Sequence, residues 1–366
     1  MNTNVYKNVC VKNDTIIRAA VETAVTLVKL GLDVHAEKIA VCVQLDGQTP
    51  KPAQIIYREE LLKWIAKLRA KNPSAKVVSC YEAGPLGYHL HRQLVANGIE
   101  NYVVVPKRLG DPRRRQKTDR LDARELVLAL DSYLRGNRHA MSVVTVPTEE
   151  QEQARSRARL RDQLMRSRRQ YESRGRSFLL TQGLRARGPW WKPARWKELQ
   201  GQLPGWIAKQ MRVWRELAVE VDRLERQVRE ELEASAPKIL PKAVGALTWV
   251  ILAREILDWN RFKNRRQVGS YCGLCPGISQ SGNRSREGSI NRCGNKAVRH
   301  ALLELVWRLV RYQPHYPPVK PLVDGGLSAR QRRKAAVAAA RRLAIDLWRL
   351  ATNQARADEL GFILKA

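Results

Sequence analysis

No run of eighteen apolar residues occurs in the sequence, which argues against a hydrophobic membrane-spanning helix. The first thirty residues also lack a compact apolar stretch followed by a small-residue cleavage site, so no secretory leader is expected. Met1-Asn2-Thr3 does not match a myristoylation start, and the C-terminus carries no prenylation box. Cysteine is scarce. Six residues (Cys10, Cys42, Cys80, Cys272, Cys275, Cys293) scattered over 366 positions are too few for a disulfide framework, and a reducing cytoplasm is the expected setting. Acids are in short supply as well: 35 Asp and Glu face 67 Lys and Arg, a net charge of +32. A field of that sign attracts polyanions and releases condensed counterions when a nucleic acid binds. The hydrophobic fraction of 44% is ordinary for folded protein, and 366 residues are long for one core, so two or three domains are expected.

Residues 1–25 read as a polar extension. From there to residue 147 the spacing predicts an α/β domain. "TLVKLGLDV" and "KIAVCVQLDG" read as strands, the second closing on the turn dipeptide Asp46-Gly47. A helix over Glu59–Lys71, the strand "AKVVSCYE", the helix "GPLGYHLHRQLVANG" and the strand "IENYVVVP" follow, and a helix begins after Thr118 as N-cap. Residues 148–236 read as a basic helical region. Eleven arginines fall between Glu149 and Gly188, and Val213, Leu217, Val221, Leu224, Val228 and Leu232 step by fours and a three, as in an antiparallel coiled-coil hairpin. Residues 237–366 read as a mainly helical domain with a glycine-rich loop from Gly269 to Gly294 and closing helices near 296–312 and 329–355.

The stretch "RRRQKTDRLDAR" places Asp119 and Asp122 among Arg113, Arg114, Arg115, Lys117, Arg120 and Arg124. Three residues apart on a helix, the two carboxylates face the same way. Asp33 and Glu82 close two predicted strands, and open sheets place functional groups at the carboxyl ends of strands. Four acids from three elements therefore stand ready to converge. They could not all stay ionised in a crevice without a cation, and hard oxygen ligands favour Mg²⁺ or Mn²⁺. Two such ions about 3.5–4 Å apart would suit an in-line phosphoryl displacement. Read singly, an acid at a strand end is usually a turn residue, and two in a first helical turn commonly complement the dipole. The basic surround would hold the polyanion and the acids the metal.

"GLDVHAEKIAVCV", "YEAGPLGYHL" and "KTDRLDARELVLAL", followed by "YCGLCPGISQSGNRSREGSINRCGNKAVRHALLEL", resemble the DEDD-type insertion-sequence transposases. The resemblance covers nearly the whole chain beyond its first 25 residues or so. It implies a RuvC-like (RNase H-like) N-terminal domain with a mixed sheet and flanking helices, a coiled-coil arm and a C-terminal transposase domain. It further implies that Asp33, Glu82, Asp119 and Asp122 coordinate a divalent metal, and that a serine in "GISQSG" is the nucleophile. Ser281 aligns with that serine, and Ser279 is its main rival. The family's activity is DNA recombination guided by a structured non-coding (bridge) RNA that pairs with donor and target DNA. A dimer of dimers, nucleoid-associated in a bacterial cytoplasm and without membrane contact, is implied. The segment "LPKAVGALTWVILARE" keeps Pro241 and Gly245 but lacks a first glycine that the family pattern usually shows.

Other residues carry weaker signals. Arg113, Arg114, Arg115 and Lys117, the arm residues Arg155, Arg159, Arg166 and Arg169, and Arg284 and Arg286 beside the serine are candidate nucleic-acid contacts; a solvated helix face is the ordinary alternative. Trp190, Trp191 and Trp196 would either stack on unpaired bases or pin the hairpin tip into a small core. Cys272, Cys275, Cys293 and His300 sketch a zinc set, although the later two are seven residues apart and buried free cysteine is common. His35, His89 and His91 lie near the acids, where a histidine could carry protons. Two competing functions remain in view. A RuvC-like nuclease using metal-activated water would share the acids but has no use for the serine loop, and a non-catalytic RNA-binding protein would need neither.

Overall fold

The computed structural model describes residues 24–105, 118–281, 284–290 and 292–364. Arg113, Arg114, Arg115 and Lys117 lie outside the described residues. The chain divides into two compact units, one ending at Val146 and the other starting at Pro147.

In the first unit the elements run β1 (Leu27–Val34), β2 (Lys38–Leu45), β3 (Gln54–Tyr57), α1 (Leu61–Lys71), β4 (Lys76–Glu82), α2 (His89–Ala96), β5 (Glu100–Val104) and α3 (Asp119–Leu134). The five strands form one mixed sheet in the order β3-β2-β1-β4-β5. The β1–β2 and β2–β3 ladders are antiparallel, and β1–β4 and β4–β5 are parallel. The short strand β3 adds to the expected pattern. Its four residues, "QIIY", are too few to show a period of two.

Alternation along β1 sorts its side chains between two layers. Val28, Leu30 and Leu32 are fully buried in a core shared with Leu61 and Ile65 of α1 and Leu90 and Leu94 of α2. Lys29, Gly31 and Asp33 face the other way, toward α3, which runs antiparallel to the strand. Lys29 is buried and ion-paired with Asp131 near the end of α3. At Gly31 the helix backbone comes so close that a Cβ would stand 2.2 Å from the Ala123 carbonyl oxygen and 2.5 Å from the Val127 amide nitrogen. Ala123 and Val127 are themselves buried against Ala40 and Cys42 of β2. Breaking a buried pair such as Lys29–Asp131 by removing one partner costs about 3–5 kcal/mol.

The second unit contains α4 (Glu149–Thr181), α5 (Pro193–Gln200), α6 (Gly205–Ala234), α7 (Ala246–Ile256), α8 (Arg265–Tyr271), β6 (Pro276–Ser281), β7 (Arg284–Ile290), α9 (Lys296–Tyr312), α10 (Lys320–Val323) and α11 (Ala329–Ala351). Capping boxes start the two long basic helices, Thr148 with Gln151 at α4 and Ser328 with Gln331 at α11. α4 and α6 pair antiparallel through Arg157–Glu231, Arg161–Glu225 and Arg168–Asp222. The inward residues of α6 are Ile207, Ala208, Met211, Ala218, Glu225, Val228 and Leu232. Part of the expected seam is therefore displaced: Val213 and Leu217 point outward at 50% and 42% exposure, while Val228 and Leu232 do face in. Apart from Ala208, the inward set steps by four, seven, seven, three and four once Glu225 is included, and a polar residue in the seam is what the apolar spacing alone misses.

At the tip, Trp190, Trp191 and Trp196 are buried with Leu179, Ile207 and Met211. Trp190 lies over Gly175, where a Cβ would meet its ring at 2.2 Å, and its indole N–H donates to the Glu172 carbonyl at 2.9 Å. These tryptophans build a core and present no ring for stacking on bases. The last 110 residues or so enclose a larger core in which α9 and α11 pack against α7 and α8 through Leu252, Leu302, Leu305, Leu343 and Leu347. Within it the expected glycine-rich loop is in part a β-hairpin. Ser281 pairs with Arg284, and the sequence between them, Gly282-Asn283, is a dipeptide common in hairpin turns.

Gly31 gives the first prediction. Gly31→Ala should destabilise the first unit by about 1–3 kcal/mol as α3 is pushed off the sheet, read as a lower midpoint in denaturant. An unchanged midpoint would show that the helix is free to move there.

Candidate active site

Asp33 sits one step past Gly31 on the α3 face of β1, at the carboxyl end of the strand. Leu32 pairs with Tyr81 in the parallel ladder, so Asp33 and Glu82, the next residues, end adjacent strands on a common face, about 4.8 Å apart in the sheet. α3 supplies the remaining acids. Its N-cap Thr118 accepts a hydrogen bond from the Leu121 amide at 3.3 Å, and Asp119 and Asp122 occupy the first turn, where the helix dipole favours negative charge. Asp119, Ala123 and Val127 recur at intervals of four, so Asp119 continues the stripe that presses on Gly31.

His35 stands between the two aspartates. Its Nε2 lies 3.4 Å from Asp33 Oδ2 and 3.5 Å from Asp119 Oδ1. Among the described residues Asp33, His35 and Asp119 form a group able to hold a metal ion, with their ligand atoms all within 4.8 Å of one another. Asp122 acts on Asp33 through its charge and stands outside that triple, as does Glu82, which together with burial raises the pKa of the Cys80 thiol. Two of the four expected acids therefore converge around His35, one lies at electrostatic range, and one ends the adjacent strand. As a possible ligand His35 escapes a search for carboxylates alone. The signal is the Asp-x-His spacing, which keeps both side chains on one side of an extended chain.

The electrostatics favour a cation. Burial raises the Asp33 pKa above its usual range, Asp119 and Asp122 push the same way, and His35 opposes them by charge and hydrogen bond. Two carboxylates and an imidazole suit Mg²⁺ less purely than an all-oxygen set and accept Mn²⁺ readily.

The other sequence candidates fall as follows. Ser281 and Ser279 lie on β6, in register with Arg284 and Arg286 of β7, and these four side chains lie outside the described structure. Arg159 is engaged by the buried carboxylate of Glu255, and Arg166 pairs with Asp162 one helical turn away. Arg155 acts electrostatically on Glu255 and Tyr271, while Arg169 is exposed. Cys272 is buried, Cys275 half-buried and Cys293 exposed, and no metal-holding group among the described residues includes them or His300. His89 is exposed, and His91 bonds Asn101 at 2.9 Å.

Because the Asp33 pKa is raised in the fold, its contribution to stability is present below about pH 4 and is lost as pH rises through the raised value. Ionised Asp33 thus opposes folding at neutral pH when no cation is bound. Asp33→Asn in metal-free buffer should melt at or slightly above the wild-type temperature at pH 7, with the difference vanishing at acid pH. The same variant should lose the stabilisation that Mn²⁺ gives the wild type. A clear drop in the metal-free melting temperature at pH 7 would contradict this electrostatic reading.

Comparison with known proteins identifies the family. A family model for DEDD transposases of the IS110 group, described as "Transposase", matches residues 30–182, and one described as "Transposase IS116/IS110/IS902 family" matches residues 241–318. The Sinorhizobium fredii protein y4rJ, named as a transposase, is 33% identical over 303 residues, covering 73% of this chain and 75% of its own. A second transposase-named protein of that organism, y4qE, is 28% identical over 305 residues, covering 78% and 72%. The transposase for insertion sequence element IS1111A of Coxiella burnetii is 27% identical over 287 residues, covering 73% and 75%. With the acids at the strand ends and relatives aligned along most of their length, the chain belongs to the IS110 family of DEDD transposases of insertion sequences.

Proposed function

We propose that this transposase is an RNA-guided DNA recombinase which cuts and rejoins strands at a divalent-metal site, with Ser281 as nucleophile. The observation that carries the metal site is the meeting of Asp33, His35 and Asp119 at the carboxyl end of β1. Asp33 and Asp119 would hold Mg²⁺ or Mn²⁺, His35 would share or orient that set, and Asp122 and Glu82 would complete its charge. When bound, the ion supplies charge stabilisation at the phosphate oxygens. The mixed order β3-β2-β1-β4-β5, with the acids at one end, favours a RuvC-like reading of the first unit.

The serine step conserves the phosphodiester. Ser281 Oγ attacks phosphorus and forms an O–P bond while one P–O bond to deoxyribose breaks; serine gives up its proton and the departing sugar oxygen gains one. A sugar hydroxyl of the recipient strand then attacks the phosphoserine, loses its proton, and returns Oγ–H to the protein. Bond count is unchanged, so no nucleotide triphosphate is needed. Serine is a weak nucleophile and needs such activation.

The charge distribution supports the nucleic-acid partners. Residues 296–351 carry twelve Lys or Arg against three acids. On α9, Trp307 and Tyr312 are 42% and 48% exposed, with the guanidiniums of Arg332 and Arg311 over their rings. Exposed aromatic rings beside arginine suit unpaired bases. The antiparallel α4–α6 pair, with its inward repeat, favours a coiled-coil arm, and outward Val213 and Leu217 are compatible with assembly into a dimer of dimers.

Two measurements test the reading. Ser281→Ala should lower covalent protein–DNA formation and strand transfer by about 10³-fold or more, while Ser279→Ala retains both; hydrolytic cleavage persisting in Ser281→Ala would favour the nuclease instead. A defined RNA should co-purify with the wild-type chain, and its absence after purification at low salt would remove the guide from the account.

A further inference from the structure

Glu255, in the last turn of α7, is among the most deeply buried charges of the second unit, at 1% exposure. A carboxylate is placed there only at a desolvation cost that its partners must offset. Arg159 of α4 meets it as a fork, Nε to Oε1 at 2.9 Å and Nη2 to Oε2 at 3.1 Å. Asn295 Nδ2 donates to Oε2 at 2.9 Å. Burial opposes the charge, but the bonds from Arg159 and Asn295 outweigh it and hold Glu255 below the usual carboxylate range.

The third contact is through the backbone: the Tyr271 hydroxyl donates to the Glu255 carbonyl and accepts from Asn295 Nδ2 at 3.2 Å. Tyr271 and Asn295 flank the β6–β7 hairpin, the first five residues before it and the second five after it. Their backbones join directly, Asn295 N–H to the Tyr271 carbonyl at 2.8 Å. Just inside that bond the two stems cross at glycines, for a Cβ on Gly294 would stand 2.4 Å from the Gly273 nitrogen. Arg299 of α9 spans both stems, donating to the carbonyls of Cys272 at 3.1 Å and Arg292 at 3.3 Å. Asn295 also caps α9, its Oδ1 accepting from the amides of Ala297 and Val298.

We infer that Glu255 is a positioning residue, which locks the stem of the serine-bearing hairpin to helix α4 through Arg159 on one side and Asn295 with Tyr271 on the other. A two-stranded hairpin is marginal by itself, so its orientation must come from its base. Here that base is tied to the 33-residue helix α4 through the buried Glu255 carboxylate. The inference rests on the reading that Ser281 acts as nucleophile for its catalytic meaning, but the clamp itself is a property of the fold. Arg159 then serves the hairpin and is not available as a simple phosphate contact.

The test uses the full chain with three variants. Glu255→Gln removes the charge. Tyr271→Phe removes only the hydroxyl, and Asn295→Ser retains an oxygen to cap α9 while losing the donor to Glu255. Hydrogen exchange over residues 276–290 is the direct readout. Each variant should keep the α4 and α9 amides protected while the hairpin amides exchange about tenfold faster, the range expected for losing a buried charge-assisted bond. The Asn295→Ser/Tyr271→Phe double variant should add little to either single change, because both sit in one network. Covalent protein–DNA formation should slow about tenfold with nucleic-acid affinity within about twofold. Unchanged hairpin exchange in a folded Glu255→Gln protein overturns the inference; so does loss of protection spread evenly across the unit in all three variants. If Ser281→Ala keeps full activity, the nucleophile reading fails, whereas the exchange data decide the clamp independently.

Discussion

The first unit is organised by the contact of a helix with a strand that has no side chain in the way. α3 rests its backbone on Gly31, and that single gap sets how far along β1 the helix slides and how deep it sits. Lys29 and Asp131 fix one end of the pairing, and Asp33 and Asp119, with His35 between them, occupy the other. The two ends differ in character. Asp131 is answered by both Lys29 and Arg135, whereas at the other end Asp33 feels the like charges of Asp119 and Asp122, opposed by His35. Like-charged groups persist in a fold when the surrounding packing over-determines their position, and the helix–strand contact does so here.

Much of the first unit was legible in the sequence because each element obeys its own period. Thr118 as a cap, the apolar strand runs that become β1 and β4, and the i, i+3 placement of Asp119 and Asp122 are local signals, and all appear in the fold. What could not be read was proximity between layers. Gly31 looks like an ordinary strand glycine until α3 is laid on it, and His35 becomes a neighbour of Asp119 only across that contact. β3 is too short for periodicity to declare it. In the second unit the Gly282-Asn283 dipeptide was a readable hairpin signal, obscured by the polar loop composition around it. The α6 seam was misplaced in part because Glu225 and Ala218 lie in it, and apolar counting gives neither full weight.

Basic residues in this chain do two different jobs. Along α4 and α6, Arg157, Arg161 and Arg168 are matched by acids on the facing helix, so much of the positive charge there is internal to the pair. The more buried of these pairs, Arg161–Glu225 and Arg168–Asp222, fix register more than they add stability. Across α9 and α11 few acids answer the arginines, and the surplus is presented outward beside aromatic rings. Net charge alone does not separate these roles; the position of the acids does.

The indole of Trp190 occupies the volume that a side chain on Gly175 would need, and its N–H is held by the carbonyl of Glu172 in the same helix. Neither position is therefore independent in descent. A larger residue at 175 is tolerable only where a smaller one replaces the tryptophan, so among diverged relatives the two sites should change together or not at all.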